Sequence, residues 1–144
     1  LHMIGKLQTN KVKFAVPLFD YIHSLDNIKL AEKISSEEKK INKKLKIFIQ
    51  ININDEVQKS GISPNELQDF YDICKSKLGL NIIGLMCIPP NDSKSEKYFS
   101  LMKLLKQKIK VDELSMGMSN DYLDAIKNEA TYIRIGSKIF GNRS

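Results

Sequence analysis

Six short apolar runs punctuate the chain: HMIG at 2–5, YIHSL at 21–25, LKIFIQIN at 45–52, NIIGLM at 81–86, VDELSMG at 111–117 and YIRIG at 132–136. Each has the length and composition of a strand. Most of the segments between them carry helical periodicity, so the predicted order is strand then helix, repeated. That order implies a parallel sheet or barrel rather than a run of hairpins. The clearest helix is GISPNELQDFYDICKSKLG, where Ser63 can cap, Pro64 fits the first helical position, Glu66 completes a capping box and Gly79 supplies the stop. Leu67, Phe70, Cys74 and Leu78 then share one face, which makes Cys74 a packing residue. A second helix is predicted from Asp92 or Ser93 to near Ile109, with Leu101, Leu104 or Leu105, and Ile109 facing inward. Residues 33–46, KISSEEKKINKKLK, read as a solvated helix end and loop leading into the strand at Leu45.

Six strand–helix units leave two α/β architectures open. An open doubly wound sheet can use six strands, whereas a closed (β/α)8 barrel needs eight and typically about 250 residues. As a barrel, the 144 residues would form a single partial domain, 1–144, short of roughly 70 to 100 residues, most naturally from the front. A first residue of Leu1 rather than Met fits a fragment.

A hydrophobic content of 42% with 28% charge excludes the disordered and collagen-like classes. No run has the roughly 18 to 20 apolar residues of a membrane span, and the start lacks a signal-peptide pattern, so a cytoplasmic location is expected. The formal charge is +6, but of the 23 basic residues only Arg134 and Arg143 are arginines. Readers of bases and phosphates favour the arginine fork, so the lysine excess reads as compositional bias and no nucleic-acid partner is expected. It also makes Arg134 conspicuous. Cys74 and Cys87 are too far apart for a CxxC pair, and His2 and His23 are isolated in sequence, so no metal site is predicted and both thiols read as structural.

The candidate chemistry lies at strand ends. In IQININD, Gln50, Asn52 and Asn54 alternate with isoleucines, which puts them on one polar face, and Asn52 either points into a ligand site or is satisfied by its neighbours. In LSMGMSND, at 114–121, Gly117 would let a ligand approach the backbone, and Ser119 stands at a helix N-cap, either joining an anion site or merely capping its helix. In the next unit Gly136 and Ser137 form a second close-approach turn, and loops following the last two strands of such barrels commonly build a phosphate site. Arg134, between Ile133 and Ile135, faces away from them, towards a ligand or a structural ion partner.

Together HMIGKLQTNKVK at 2–13, ININD followed by EVQKSG at 51–61, GLMCIPP at 84–90, LSMGMSND and IRIGSKIFGNR resemble, in matching order over essentially the whole chain, the pyridoxal phosphate homeostasis protein family. The resemblance implies a (β/α)8 TIM barrel of the type III pyridoxal phosphate proteins, similar to the alanine racemase N-terminal domain, of which this chain would supply strands three to eight. It implies pyridoxal 5'-phosphate as cofactor, with Ser119, Gly136 and Ser137 at its phosphate beside Gly117, Arg134 facing the pyridine nitrogen, and Asn52 and His2 near the ring. A guanidinium only donates, so Arg134 would keep that nitrogen unprotonated and the ring a weaker electron sink. The family's Schiff-base lysine lies on the first strand, ahead of residue 2, and neither Lys6 nor Lys11 occupies its position. The chain departs from the family where Leu1 replaces an aromatic residue and Ser137 a threonine.

The function implied is a non-enzymatic carrier that balances vitamin B6 and amino-acid pools, its full-length form a monomer, with cofactor-accepting apoenzymes as possible partners. The alternatives are a racemase-like pyridoxal phosphate enzyme of the same fold and a barrel enzyme for another phosphorylated small molecule. The 144 residues alone are expected to hold the cofactor weakly or not at all covalently, and to leave two open strand edges.

Overall fold

The computed structural model describes residues 1–54, 60–92 and 94–141. Six strands, β1 (His2–Met3), β2 (Tyr21–Leu25), β3 (Lys46–Ile51), β4 (Ile82–Cys87), β5 (Glu113–Met118) and β6 (Tyr132–Arg134), form one sheet in sequence order, with every neighbouring pair parallel. That order decides between the two architectures. A doubly wound sheet reverses its strand order at a switch point. Here the order never reverses, and right-handed crossovers then place all the connecting helices on one face. The product is the curved wall of a (β/α) barrel, with β1 and β6 at its two edges.

The curvature can be measured. His23 Nδ1 on β2 lies 2.8 Å from Ser115 Oγ on β5, three strands along the sheet. In a flat sheet, three strand spacings alone would separate them by about 14 Å.

Side-chain alternation divides the strands between two environments. Ile22, Ile47, Ile49, Ile51, Leu85, Leu114 and Met116 are fully or almost fully buried and belong to the main apolar core beneath the helices. Phe48 is equally buried but stands outside that cluster, stacked on His23 with ring centroids 4.3 Å apart and edge-on to Tyr132 at 5.4 Å. The concave face is thus built from aromatic and polar groups.

The helices are α1 (Val12–Leu18), α2 (Ile28–Ile41), α3 (Leu67–Asp72), α4 (Ser95–Ile109), α5 (Tyr122–Lys127) and α6 (Ser137–Phe140). Leu67, Phe70 and Cys74 are buried as their spacing predicts, Leu78 packs against the core, and Gly79 ends the segment at φ +66°. The start of α3 differs from expectation. Ile51 pairs with Ile62, whose C=O accepts the Asn52 N–H at 3.0 Å and whose N–H reaches the Gln50 C=O at 2.8 Å. This ladder keeps the chain extended beyond Gly61, so Ser63 to Glu66 form a turn, no side chain caps it, and the helix begins at Leu67. Helix α4 begins at Ser95 after the Asp92 carboxylate accepts the Lys94 N–H at 2.8 Å; Ser93 lies outside the described residues. Of Leu104 and Leu105 it is Leu105 that faces inward, with Ile109, while Leu104 is 62% exposed.

The stretch 33–46 also departs from a merely solvated segment. Helix α2, opened by Asn27 accepting the Leu30 N–H, continues through it to Ile41, and Glu38 is almost fully buried. Glu38 Oε1 accepts the N–H of Leu45 at 2.7 Å, and Oε2 pairs with Lys44 Nζ at 3.3 Å. The carboxylate therefore ties the end of α2 to the entrance of β3.

Glu38→Ala leaves the Leu45 N–H buried without its acceptor and is expected to destabilise the fold by about 1–3 kcal/mol. Lys44→Ala, which removes an exposed cation, should cost under about 1 kcal/mol. Urea unfolding midpoints of the two variants should separate accordingly, and equal midpoints would show that the backbone tie carries nothing.

Candidate functional site

A cavity of about 1080 Å³ opens at the C-terminal ends of β1, β4, β5 and β6, the end where barrels of this kind place their ligands. It is lined by His2, His23, Ser115, Ser119, Tyr132, Arg134, Gly136 and Ser137, with Ile88, Pro89 and Pro90 from the loop after β4 on its apolar side. Five of the seven residues singled out from sequence, His2, Ser119, Arg134, Gly136 and Ser137, therefore come together.

Arg134 projects from β6 onto the concave face. Its Nη1 donates to Ser115 Oγ and its Nη2 to the Cys87 C=O, each at 2.8 Å. Burial lowers its pKa, partly offset by the neighbouring Cys87 and Asp121. None of the ion pairs recorded among the described residues includes it. A cation in this setting favours an acceptor or anion in the cavity.

The loop after β5 is closed by Asp121, whose N–H donates to the Met118 C=O at 3.1 Å and whose carboxylate accepts the Met118 N–H at 2.6 Å. This turn delays α5 until Tyr122, so Ser119 does not cap the helix as expected. Its hydroxyl instead accepts the Lys138 N–H, at a long 3.4 Å, from the first turn of α6. The loop after β5 is thus tied to α6 at Ser119. Gly136 has no atom within 4 Å of the place a Cβ would take, so the cavity reaches its backbone.

Gly117 and Asn52 stand apart from this arrangement. Gly117, at φ +91°, does not line the cavity; a Cβ there would lie 2.6 Å from Ala125 Cβ and 3.1 Å from Tyr122 Cα. Its missing side chain lets α5 seat closely against β5. Asn52 is also outside the lining, next to the ladder that Ile62 forms with β3. Asp55 to Lys59, and Asn142 and Arg143 of the final motif, lie outside the described residues.

His23 and Ser115 are additions to the residues chosen from sequence. His23 is buried, with Nδ1 bonded to Ser115 Oγ and Nε2 3.1 Å from His2 Nδ1. Burial, reinforced by His2 and Arg134, pushes its pKa down to about 4, and burial followed by nearby positive charge also lowers that of His2. The His2 ring is stacked on Tyr21, 3.9 Å between centroids and 8° from parallel. Below them, Lys46 Nζ donates to the Tyr21 hydroxyl at 3.0 Å and lowers its pKa. Burial pushes the thiols of Cys74 and Cys87 up to about 12, which keeps both protonated. No group of three potential metal ligands occurs among the described residues.

The family model for the alanine racemase N-terminal domain matches residues 2–144. The chain belongs to that family, among the pyridoxal phosphate homeostasis proteins. It is 40% identical over 152 residues to the pyridoxal phosphate homeostasis protein of Pasteurella multocida and 39% identical over 153 residues to that of Haemophilus influenzae. Each match covers 99% of this chain and 65% of the relative, so the chain spans just under two thirds of those curated proteins. Among solved structures, PipY of Synechococcus elongatus without pyridoxal phosphate matches with a TM-score of 0.87 and 33% identity, covering 97% of this chain and 70% of PipY. PipY with pyridoxal phosphate bound matches with a TM-score of 0.85 and 32% identity, covering 97% and 69%. The fold is accordingly the parallel barrel wall of the alanine racemase N-terminal type.

The His23 shift has a definite sign. The unfolded chain takes up a proton on His23 near pH 6.5, the folded protein only near pH 4, so between these values the unfolded state binds more protons and stability rises with pH. The contribution is fully present above pH 6.5 and is lost towards pH 4, by roughly 3 kcal/mol. Urea midpoints measured at about pH 4.5 and about pH 7 should differ more for the wild type than for His23→Gln. An equal difference in the two proteins would contradict the assignment.

Proposed function

We propose that this chain holds pyridoxal phosphate without turning it over and serves as the cofactor-retaining part of a carrier that balances vitamin B6 and amino-acid pools. The observation that carries this reading is the convergence of Ser119, Gly136 and Ser137 with Arg134 on one cavity at the strand ends. These residues fit the cofactor by their chemistry: hydroxyls and an open glycine backbone for a phosphate, and a fixed donor for an acceptor nitrogen. The relatives carry the name pyridoxal phosphate homeostasis protein, and PipY has been solved with that molecule bound.

Pyridoxal phosphate supplies an electron sink when bound, and that sink is strongest when the ring nitrogen is protonated. Arg134 can only donate, so it would hold the ring in place while leaving the nitrogen unprotonated. Ser119 and Ser137 would orient the phosphate. Cys74 and Cys87 keep their protons, so neither thiol is poised to act as a base or nucleophile. This supports retention over catalysis. The racemase-type fold supports the second reading, an amino-acid racemase-like enzyme.

In this reading the chain forms strands three to eight of an eight-stranded barrel, and the lysine that attaches the cofactor covalently belongs to strand one. Asn52 and His2 would border the ring. The whole protein would act as a cytoplasmic monomer that passes its cofactor to apoenzymes; no helix among the described residues is long and apolar enough to cross a membrane.

Equilibrium binding of pyridoxal phosphate, followed by absorbance and by ultrafiltration, tests the reading. Arg134→Ala should weaken binding about 10- to 100-fold, the loss expected for a hydrogen bond from a charged donor. Exchange of amino-acid α-protons with deuterated solvent should stay at background. Rapid exchange would favour the racemase, and unchanged binding in the variant would remove Arg134 from the site.

A further inference from the structure

The concave face carries a hydrogen-bonded chain whose direction is fixed at one end. Arg134 Nη1, Ser115 Oγ, the two nitrogens of His23 and His2 Nδ1 follow one another at 2.8, 2.8 and 3.1 Å, linking β6, β5, β2 and β1. A guanidinium has donors only, so Ser115 Oγ must accept from Arg134. Ser115 is fully buried, and among the described residues its hydroxyl partners are Arg134 and His23 alone. Were Ser115 Oγ to accept from His23 as well, its own proton would be left buried without an acceptor, an arrangement that folded proteins avoid. The Ser115 hydroxyl therefore donates to His23 Nδ1.

The remaining protons follow from that step. With Nδ1 an acceptor, neutral His23 carries its proton on Nε2, which faces His2 Nδ1. His2 Nδ1 must then accept, so neutral His2 carries its own proton on Nε2. That nitrogen makes no hydrogen bond to any described residue, on a ring that lines the cavity and is pinned flat against Tyr21. Placing a proton on His2 Nδ1 would set two N–H groups against each other unless every link reversed, and reversal strands the Ser115 proton.

We propose that Ser115 and His23 are positioning residues that hold His2 as a neutral Nε2–H donor, so that the site takes a ligand presenting an oxygen acceptor, such as a phenolate or carbonyl oxygen, to His2. Arg134 sets the direction of the chain, and the hydroxyl of Ser115 transmits it. Only the identity of the acceptor-bearing ligand rests on the proposed cofactor reading. The proton arrangement belongs to the protein alone and is tested without ligand, so failure of one does not entail failure of the other.

The test is a long-range ¹H–¹⁵N correlation spectrum of the ligand-free protein labelled in its two histidines, with His23→Gln used to assign them. Both rings are expected to show a protonated, pyrrole-type Nε2 and a pyridine-type Nδ1. Ser115→Ala removes the donor to His23 Nδ1 and should give His23 a mixture of tautomers, with a matching change at His2. Ser115→Thr keeps the hydroxyl and should restore the wild-type pattern. A wild-type spectrum with the proton on Nδ1 of His2 or of His23 overturns the proposal, whether or not Ser115→Ala folds. So does a folded Ser115→Ala protein whose two histidines keep the wild-type pattern.

Discussion

A parallel sheet whose helices all lie on one side must satisfy the other side from its own side chains. That constraint shapes the concave face. The isoleucine and leucine positions are spent on the helix-covered face, and the opposite positions hold Tyr21, His23, Phe48, Ser115, Tyr132 and Arg134. Because the sheet curls, the polar members of this set reach one another across several strands rather than along one. A single cation, Arg134, then decides how the neighbouring protons are arranged.

The architecture was largely legible because alternation and segment order are local properties. All six strand-like runs form strands, and the strand order follows from the simplest connection of consecutive units. The alternation that singled out Arg134 between two isoleucines applies equally to Ser115, between Leu114 and Met116, and to His23, two residues from Tyr21. It assigns a residue to a face but does not say which strands will curl towards each other. Only the three-dimensional closeness of β2 and β5 turns a lone histidine and a lone serine into one unit.

The helix starts were less legible for a related reason. Ser63 and Ser119 both have the chemistry of a cap, but at each the backbone is claimed by other hydrogen bonds. The ladder of Ile62 with β3 holds one stretch extended, and the closed turn from Met118 to Asp121 delays the other. The charged stretch ending at Lys46 misleads in the opposite direction. Its composition suggests solvent, yet Glu38 is buried because a strand entrance needs an acceptor for the Leu45 N–H. In each case specific hydrogen bonds, between strands, within a turn or to a strand entrance, override what composition suggests.

Gly117 illustrates how structural need can imitate function. It sits in the motif that also contains Ser119, and its backbone conformation and its closeness to α5 leave room for hydrogen alone. A saturation mutagenesis screen that selects for working protein would therefore score this position as intolerant, much as it would score a ligand contact. The two kinds of intolerance have different origins: at Gly117 the missing product would be folded protein, whereas at the cavity wall it would be occupied protein. Separating abundance from occupancy is what would allow the motif to be divided into its architectural and its chemical residues.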